Sequence, residues 1–243
     1  MRFTALIAAL LLLSACNPAP TSIAVEFRAY FGETPIACGE LGDNPVLSDL
    51  RFYVTDLESR TVQLVDLENG TSACENGTRD THSTISLSVA DDLAAAIRFE
   101  IGVPFELNHA DPLQAAAPLN ISAMHWHWRS GYKFLSAGVR TLDDGFWIHV
   151  GSTGCEGTVQ NIRGCSSPNR ITVQLPGFDT ETSVVAVDLK ALLATADLTD
   201  GVASDCSSGP SEASCSAPFE ALGLDHADTI ATGDQRVFRA VAR

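Results

Sequence analysis

Apolar and polar positions alternate along much of this chain with a period of two. Residues 23–30, Ile-Ala-Val-Glu-Phe-Arg-Ala-Tyr, carry the alternation most plainly. That is the pattern of a strand with one face buried. The same reading predicts strands over residues 50–55, 62–67, 84–89, 97–103, 121–128, 133–140, 145–150, 171–175, 182–188 and 236–241. Between them, residues 31–44, 151–167 and 200–218 are polar and rich in Gly, Pro and Ser, and are expected to be loops. Residues 91–95 suit one helical turn, 109–118 a loop or short helix, and 189–196 a helix. About ten short strands with Gly and Pro turns predict a mostly β fold, an antiparallel sandwich or barrel-like domain. The chain carries no internal repeat, nucleotide-binding loop, long amphipathic helix or Gly-x-Ser-x-Gly elbow.

The N-terminus departs from this pattern. Arg2 precedes a short apolar run over residues 5–13, too short to span a bilayer and typical of an export signal. It ends Leu13-Ser14-Ala15-Cys16, which looks like the cleavage box of bacterial lipoproteins. Residues 1–15 are therefore read as the signal, Cys16 as the acylated first residue, and residues 16–22 as a tether. Residues 23–243 are read as a single β-rich domain.

Six cysteines remain: Cys38, Cys74, Cys155, Cys165, Cys206 and Cys215. An even number in an exported chain predicts a disulfide framework. The cheapest pairing is local, Cys38–Cys74, Cys155–Cys165 and Cys206–Cys215, the last stapling 200–218. A metal site of four thiolates is the alternative, weakened because no two cysteines are spaced by only two residues. Thirty carboxylates oppose 15 basic residues, so the chain lacks the basic surface that nucleic acid requires.

Chemistry concentrates in residues 107–149. Four of the six histidines (His109, His125, His127, His149) and all three tryptophans (Trp126, Trp128, Trp147) lie there. Neutral imidazole is the usual protein ligand for zinc, copper or nickel. The bland reading makes these aromatics strand-core residues with incidental histidines. On a strand, Met124, Trp126 and Trp128 share one face, and His125 and His127 the other, roughly 7 Å apart. Two sites compete: a clamp of His125 and His127, or a site on the tryptophan face recruiting His109, His149 or Met124. Indole is no ligand, because its nitrogen lone pair belongs to the ring.

The motifs Leu107-Asn108-His109, Pro118-Leu119-Asn120, Met124-x-Trp126-x-Trp128-Arg-Ser-Gly-Tyr-Lys-Phe134 and His149-Val-Gly-Ser-Thr-Gly-Cys155 resemble the MbnP-like family. These are methanobactin-associated periplasmic copper-binding proteins, also described as the four-cysteine half of a metallo-mystery pair. Residues 51–54 and 165–170 fit as well, and the resemblance covers most of residues 23–190. It implies an exported β protein that binds copper. It implies a di-haem partner similar to MauG and cytochrome c peroxidase enzymes, which oxidises a tryptophan to kynurenine. The aryl amine of kynurenine binds copper where indole cannot. By this resemblance the ligands are His109, His149 and an amine made from Trp126 or Trp128. Trp126 is favoured because it is central in the expected strand and flanked by both histidines, and Trp147, outside the Trp-x-Trp motif, is expected to stay intact. The four family cysteines fall on Cys155, Cys165, Cys206 and Cys215. His125 and His127 depart from the family pattern and form a rival site. Asp111 is the candidate acceptor that orients His109. A small copper oxidase and a metal-free interaction lipoprotein are the competing functions. The expected location is a membrane surface facing the periplasm, on the outer membrane.

Cleavage before Cys16 predicts a native chain that begins with a diacylated cysteine. The intact mass of protein from the membrane fraction should carry the lipid; an unmodified Cys16 thiol would contradict the reading.

Overall fold

The structure is a computed structural model, and it describes residues 21–38, 46–68, 74, 81–89, 96–140, 145–159, 161–193, 205–226 and 233–243. The expected signal, Cys16, the turn at 91–95 and residues 200–204 lie outside the described residues.

The fold is mostly β, built from two large sheets and two two-stranded ribbons. In the first, β1 (Thr21–Phe31) pairs with β5 (Thr84–Val89) along its first half. It then pairs with β14 (Ser183–Asp188) and, at its end, with β2 (Thr34–Pro35). The strand β15 (Phe238–Ala242) completes the edge beside β14. The β1–β14 pair is parallel and the others are antiparallel. The second sheet is ordered β10 (Gly145–Val150), β9 (Leu135–Arg140), β3 (Val46–Asp56), β6 (Ala96–Ile101), β13 (Ile171–Pro176), with β4 (Val62–Asp66) also on β3.

Alternation explains the core. Val25 and Phe27 of β1, Val185 and Val187 of β14, and Phe238 of β15 turn inward from the first sheet. Leu50, Phe52 and Val54 of β3, Phe99 of β6 and Ile148 of β10 meet them from the second. Four rings bridge the sheets edge to face: Phe27 lies 5.4 Å from Phe52 and 5.7 Å from Phe99, and Phe238 lies 5.5 Å from Phe52. Each such pair contributes about 0.5–1.5 kcal/mol beyond the area it buries.

Four expected elements differ. The described end of the 200–218 loop is helical, a 3-10 turn at Ala213–Cys215 running into the helix Ser216–Ala221. Residues 151–167 form a hairpin rather than a loop: β11 (Thr153–Thr158) pairs with β12 (Asn161–Ser167), and Cys155 faces Cys165 across it. This ribbon shows little apolar alternation because most of its residues are at least partly exposed. Residues 121–128 are not one strand. A turn of 3-10 helix at Ser122–Met124 precedes the short strand β7 (His125–His127), whose partner β8 (Gly131–Tyr132) is only two residues long. The described part of the 189–196 helix is a single turn at Leu189–Leu192, capped by the Asp188 carboxylate accepting from the Lys190 and Ala191 N–H groups. Among the described residues, no helix is long and apolar enough to cross a membrane.

β3 is buried on both faces along nearly its whole length. Its outer face holds charges. Arg51 Nε lies 3.0 Å from both Asp49 Oδ1 and Glu68 Oε1, and Ser136 Oγ donates to Asp49 Oδ2 at 2.5 Å. Two carboxylates thus share one guanidinium out of water. Burial opposes ionisation of Asp49, but hydrogen bonding and charge from Arg51, helped by Ser136, outweigh it and hold the group below its ordinary value. Glu68 takes the other course: burial, then repulsion from Asp49, pushes it up to about 8. A carboxyl raised on folding favours the folded state below its unfolded value near 4.5. That contribution is lost as pH rises toward 8. Glu68→Gln should therefore remove a fall in melting temperature between pH 4.5 and 8 that the native chain shows. Parallel slopes for the two proteins would contradict the assignment.

Candidate metal centre

The segment from Val103 to Phe134 lies on the outer face of the second sheet. A second apolar cluster holds it there: Tyr53 and Val62 from the sheet against Val103, Leu119, Met124, Tyr132 and Phe134. Tyr53 and Tyr132 meet edge to face at 5.6 Å. A buried phenol needs an acceptor. Tyr132 donates to the Leu119 carbonyl at 2.6 Å and Tyr53 to the Pro118 carbonyl at 3.3 Å.

Asn108 ties this segment to itself. It ends the one-turn helix α1 (Phe105–Asn108) and is 1% exposed. Its Oδ1 accepts from the Tyr132 N–H at 2.9 Å, and its Nδ2 donates to the Ser130 carbonyl at 3.3 Å. Gly131, between these partners, has φ +78°, and a Cβ there would sit 2.2 Å from the Asn108 carbonyl oxygen. Only glycine fits both the conformation and the contact.

His109 follows at once. Its Nδ1 lies 3.2 Å from the Trp128 carbonyl, so Nδ1 carries the proton and Nε2 the lone pair. Nε2 lies 3.7 Å from Cys165 Sγ and 3.5 Å from Asn108 Nδ2. Burial lowers the pKa of the ring, partly offset by the Trp128 carbonyl. Asp111 does not orient His109. Its carboxylate accepts from the Leu113 N–H and the Gln114 side chain, both at 3.0 Å, and so closes its own turn. A backbone carbonyl 19 residues along the chain takes the role instead.

His149 lies on the edge strand β10, on the face opposite the core residues Ile148 and Val150. Burial first, then the Lys133 charge, lowers it to about 4, so the ring is neutral at physiological pH. Trp126 packs against it with ring centroids 6.2 Å apart. The Trp126 ring also covers Gly151, where a Cβ would come within 2.7 Å of it. Behind His149, the Cys206 backbone continues the sheet: the His149 N–H donates to the Cys206 carbonyl and the Cys206 N–H to the Trp147 carbonyl. Ser208 links the same strand to both neighbours, donating to the His149 carbonyl at 2.8 Å and accepting from the Gly151 N–H at 3.1 Å. Asn169 donates to the Gly151 carbonyl at 2.8 Å.

The remaining candidates separate. The strand pairing shifts register between His125 and His127. His127 is exposed; its Nδ1 accepts from the Arg129 N–H at 3.1 Å, and its Nε2 lies 3.4 Å from Ser130 Oγ. His125 packs on Tyr132 at 5.0 Å, and its Nε2 is buried without a hydrogen-bond partner. Burial, then the charge of His127, lowers its pKa. Trp128 lies under the Arg129 guanidinium at 5.0 Å. The Trp147 ring rests against Gly138 and Gly145.

The six cysteines form Cys38–Cys74, Cys155–Cys165 and Cys206–Cys215. Among the described residues, two trios bring metal-ligating atoms within 4.8 Å of one another: His109 with Cys155 and Cys165, and Glu212 with Cys206 and Cys215. Each contains a closed disulfide. Its sulfurs carry no thiolate, the form in which cysteine binds metal. Sequence reasoning missed Asn108, Gly151, Asn169 and Ser208, which support the site without belonging to it. The available signal was that Asn108 and Gly151 stand inside the two histidine motifs and Asn169 in the 165–170 segment that also fits the family.

Comparison places the chain among known proteins. The family described as MbnP matches residues 20–208. Among curated proteins none matches. A solved structure, MbnP from Methylosinus trichosporium, superposes with a TM-score of 0.71 at 23% identity, covering 91% of this chain and 98% of that one.

Proposed function

The chain belongs to the MbnP family, and from that membership we propose that it is a periplasmic copper-binding lipoprotein and not a catalyst. Cys16 anchors it to the outer membrane. A di-haem protein of the MauG and cytochrome c peroxidase type oxidises Trp126 to kynurenine. His109, His149 and the resulting aryl amine hold one copper ion. Imidazole and aryl amine are borderline nitrogen donors that suit copper.

The observation that carries this reading is the contact of Trp126 with His149. An amine made from that ring arises beside an imidazole kept neutral by burial. His109 adds a fixed tautomer whose Nε2 lone pair is free of a proton. Trp128 lies under Arg129 and meets the exposed His127 at 6.5 Å, whereas Trp126 meets the more buried His149, which favours Trp126 as the modified residue. A second reading has one specific support: the orphaned His125 Nε2. In the tautomer protonated at Nδ1, that nitrogen offers a lone pair to a cation, which makes His125 a candidate further ligand.

The test is copper affinity of protein coexpressed with the di-haem partner. Tandem mass spectrometry of the 121–140 peptide should place the modification on Trp126. His109→Ala and His149→Ala should each weaken copper binding at least a hundredfold, while His127→Ala leaves it unchanged. A tenfold loss in His125→Ala would support the second reading. Unmodified Trp126 with full copper affinity would contradict the proposal.

A further inference from the structure

We propose that the Cys155–Cys165 disulfide covers a second copper site, made of His109 Nε2 and the two sulfurs, which opens when the bridge is reduced.

The geometry is already assembled. The three donor atoms lie within 4.8 Å of one another, and His109 Nε2 is 3.7 Å from Cys165 Sγ. Metal bonds of about 2.0 Å to nitrogen and 2.3 Å to sulfur, at a trigonal angle, put nitrogen and sulfur about 3.7 Å apart. The donated Nδ1–H on the Trp128 carbonyl leaves Nε2 with its lone pair on the side of the sulfurs. The ribbon keeps the cysteines opposite each other without the bridge, because Thr153–Ser167 and Glu156–Gly164 pair on either side of them. Rotation about the side-chain bonds can then part the sulfurs to the roughly 4 Å that a shared metal needs.

Ligand number and softness select the metal. Two thiolates and an imidazole are soft to borderline donors that suit copper(I). Zinc prefers four ligands, and only three atoms converge here among the described residues. The other trio is a poorer candidate. Glu212 replaces the imidazole with a hard carboxylate, and both Cys206 and Cys215 are fully buried, whereas Cys165 is partly exposed to a reductant.

The redox step balances with a dithiol as reductant. The dithiol closes to its own disulfide and delivers two electrons and two protons. The Cys155–Cys165 bond breaks and two thiols form. Copper(I) then displaces thiol protons to solvent and keeps its oxidation state. In the oxidised chain His109 serves the nitrogen site proposed above; in the reduced chain it serves the sulfur site. The sulfur site itself needs no modified tryptophan.

The test therefore uses the full chain with its tryptophans unmodified, so that failure of the copper–amine reading leaves it unaffected. Protein reduced anaerobically with a phosphine is titrated with copper(I) against a coloured chelator, and X-ray absorption counts sulfur ligands. Reduced wild type should bind one more copper(I) than oxidised wild type, with sulfur in its shell. Cys155→Ser/Cys165→Ser, which retains the other two disulfide pairs, should lose that ion. Reduced His109→Ala should bind it at least tenfold more weakly. Cys206→Ser/Cys215→Ser should keep it. Reduced wild type that gains no sulfur-bound copper overturns the proposal, whether or not near-ultraviolet dichroism shows it folded. So does equal sulfur-bound copper in the Cys155→Ser/Cys165→Ser variant or in His109→Ala.

Discussion

One buried amide governs the geometry of the candidate site. Asn108 accepts from the Tyr132 backbone and donates to the Ser130 carbonyl, with Gly131 pressed against it. A buried amide with an unmet bond costs roughly 1–3 kcal/mol, so the helix turn and the β7–β8 hairpin are held together or both are disturbed. The hold has two consequences. It sets His109 next to the Trp128 carbonyl, which fixes the tautomer. It also fixes Tyr132, whose carbonyl and the Trp126 ring both crowd Gly151, two residues from His149. The Asn-His pair in the sequence therefore has a division of labour: one side chain assembles, the other offers the donor.

The sheet beneath supplies the platform. β3 is apolar toward the sandwich core, while Tyr53 on its other face anchors the site segment. Each of two disulfides then stands behind one histidine. Cys155–Cys165 lies against His109, and the Cys206 backbone is hydrogen-bonded along His149. Asp49 and Arg51 share that outer face and act on His149 in opposite senses, the carboxylate raising and the guanidinium lowering its pKa. Burial first, then the Lys133 charge, keeps the imidazole neutral.

Much of this was legible in the sequence, for a physical reason. Strands with one buried face alternate, and residues 23–30, 84–89, 145–150 and 171–175 read correctly to within a residue or two. The 153–167 ribbon was illegible because it has no single apolar face. The 121–128 segment misled because Met124, Trp126 and Trp128 alternate like a strand, yet their partner β8 is two residues long, so pairing stops at His127. Asp111 was the nearest acceptor in sequence, but the acceptor used by His109 is a backbone carbonyl, which no side-chain pattern marks. The parallel β1–β14 pair joins residues 158 apart, as Phe27 with Val185, beyond any local signal.

The claim that Asn108 assembles the site can be measured without copper. Amide hydrogen exchange at Tyr132 should accelerate about ten- to a hundredfold in Asn108→Ala, the equivalent of the 1–3 kcal/mol of a lost buried bond. Exchange at Phe52 in the sheet core should stay as in the native chain. Unchanged protection of Tyr132 in the folded variant would contradict the account.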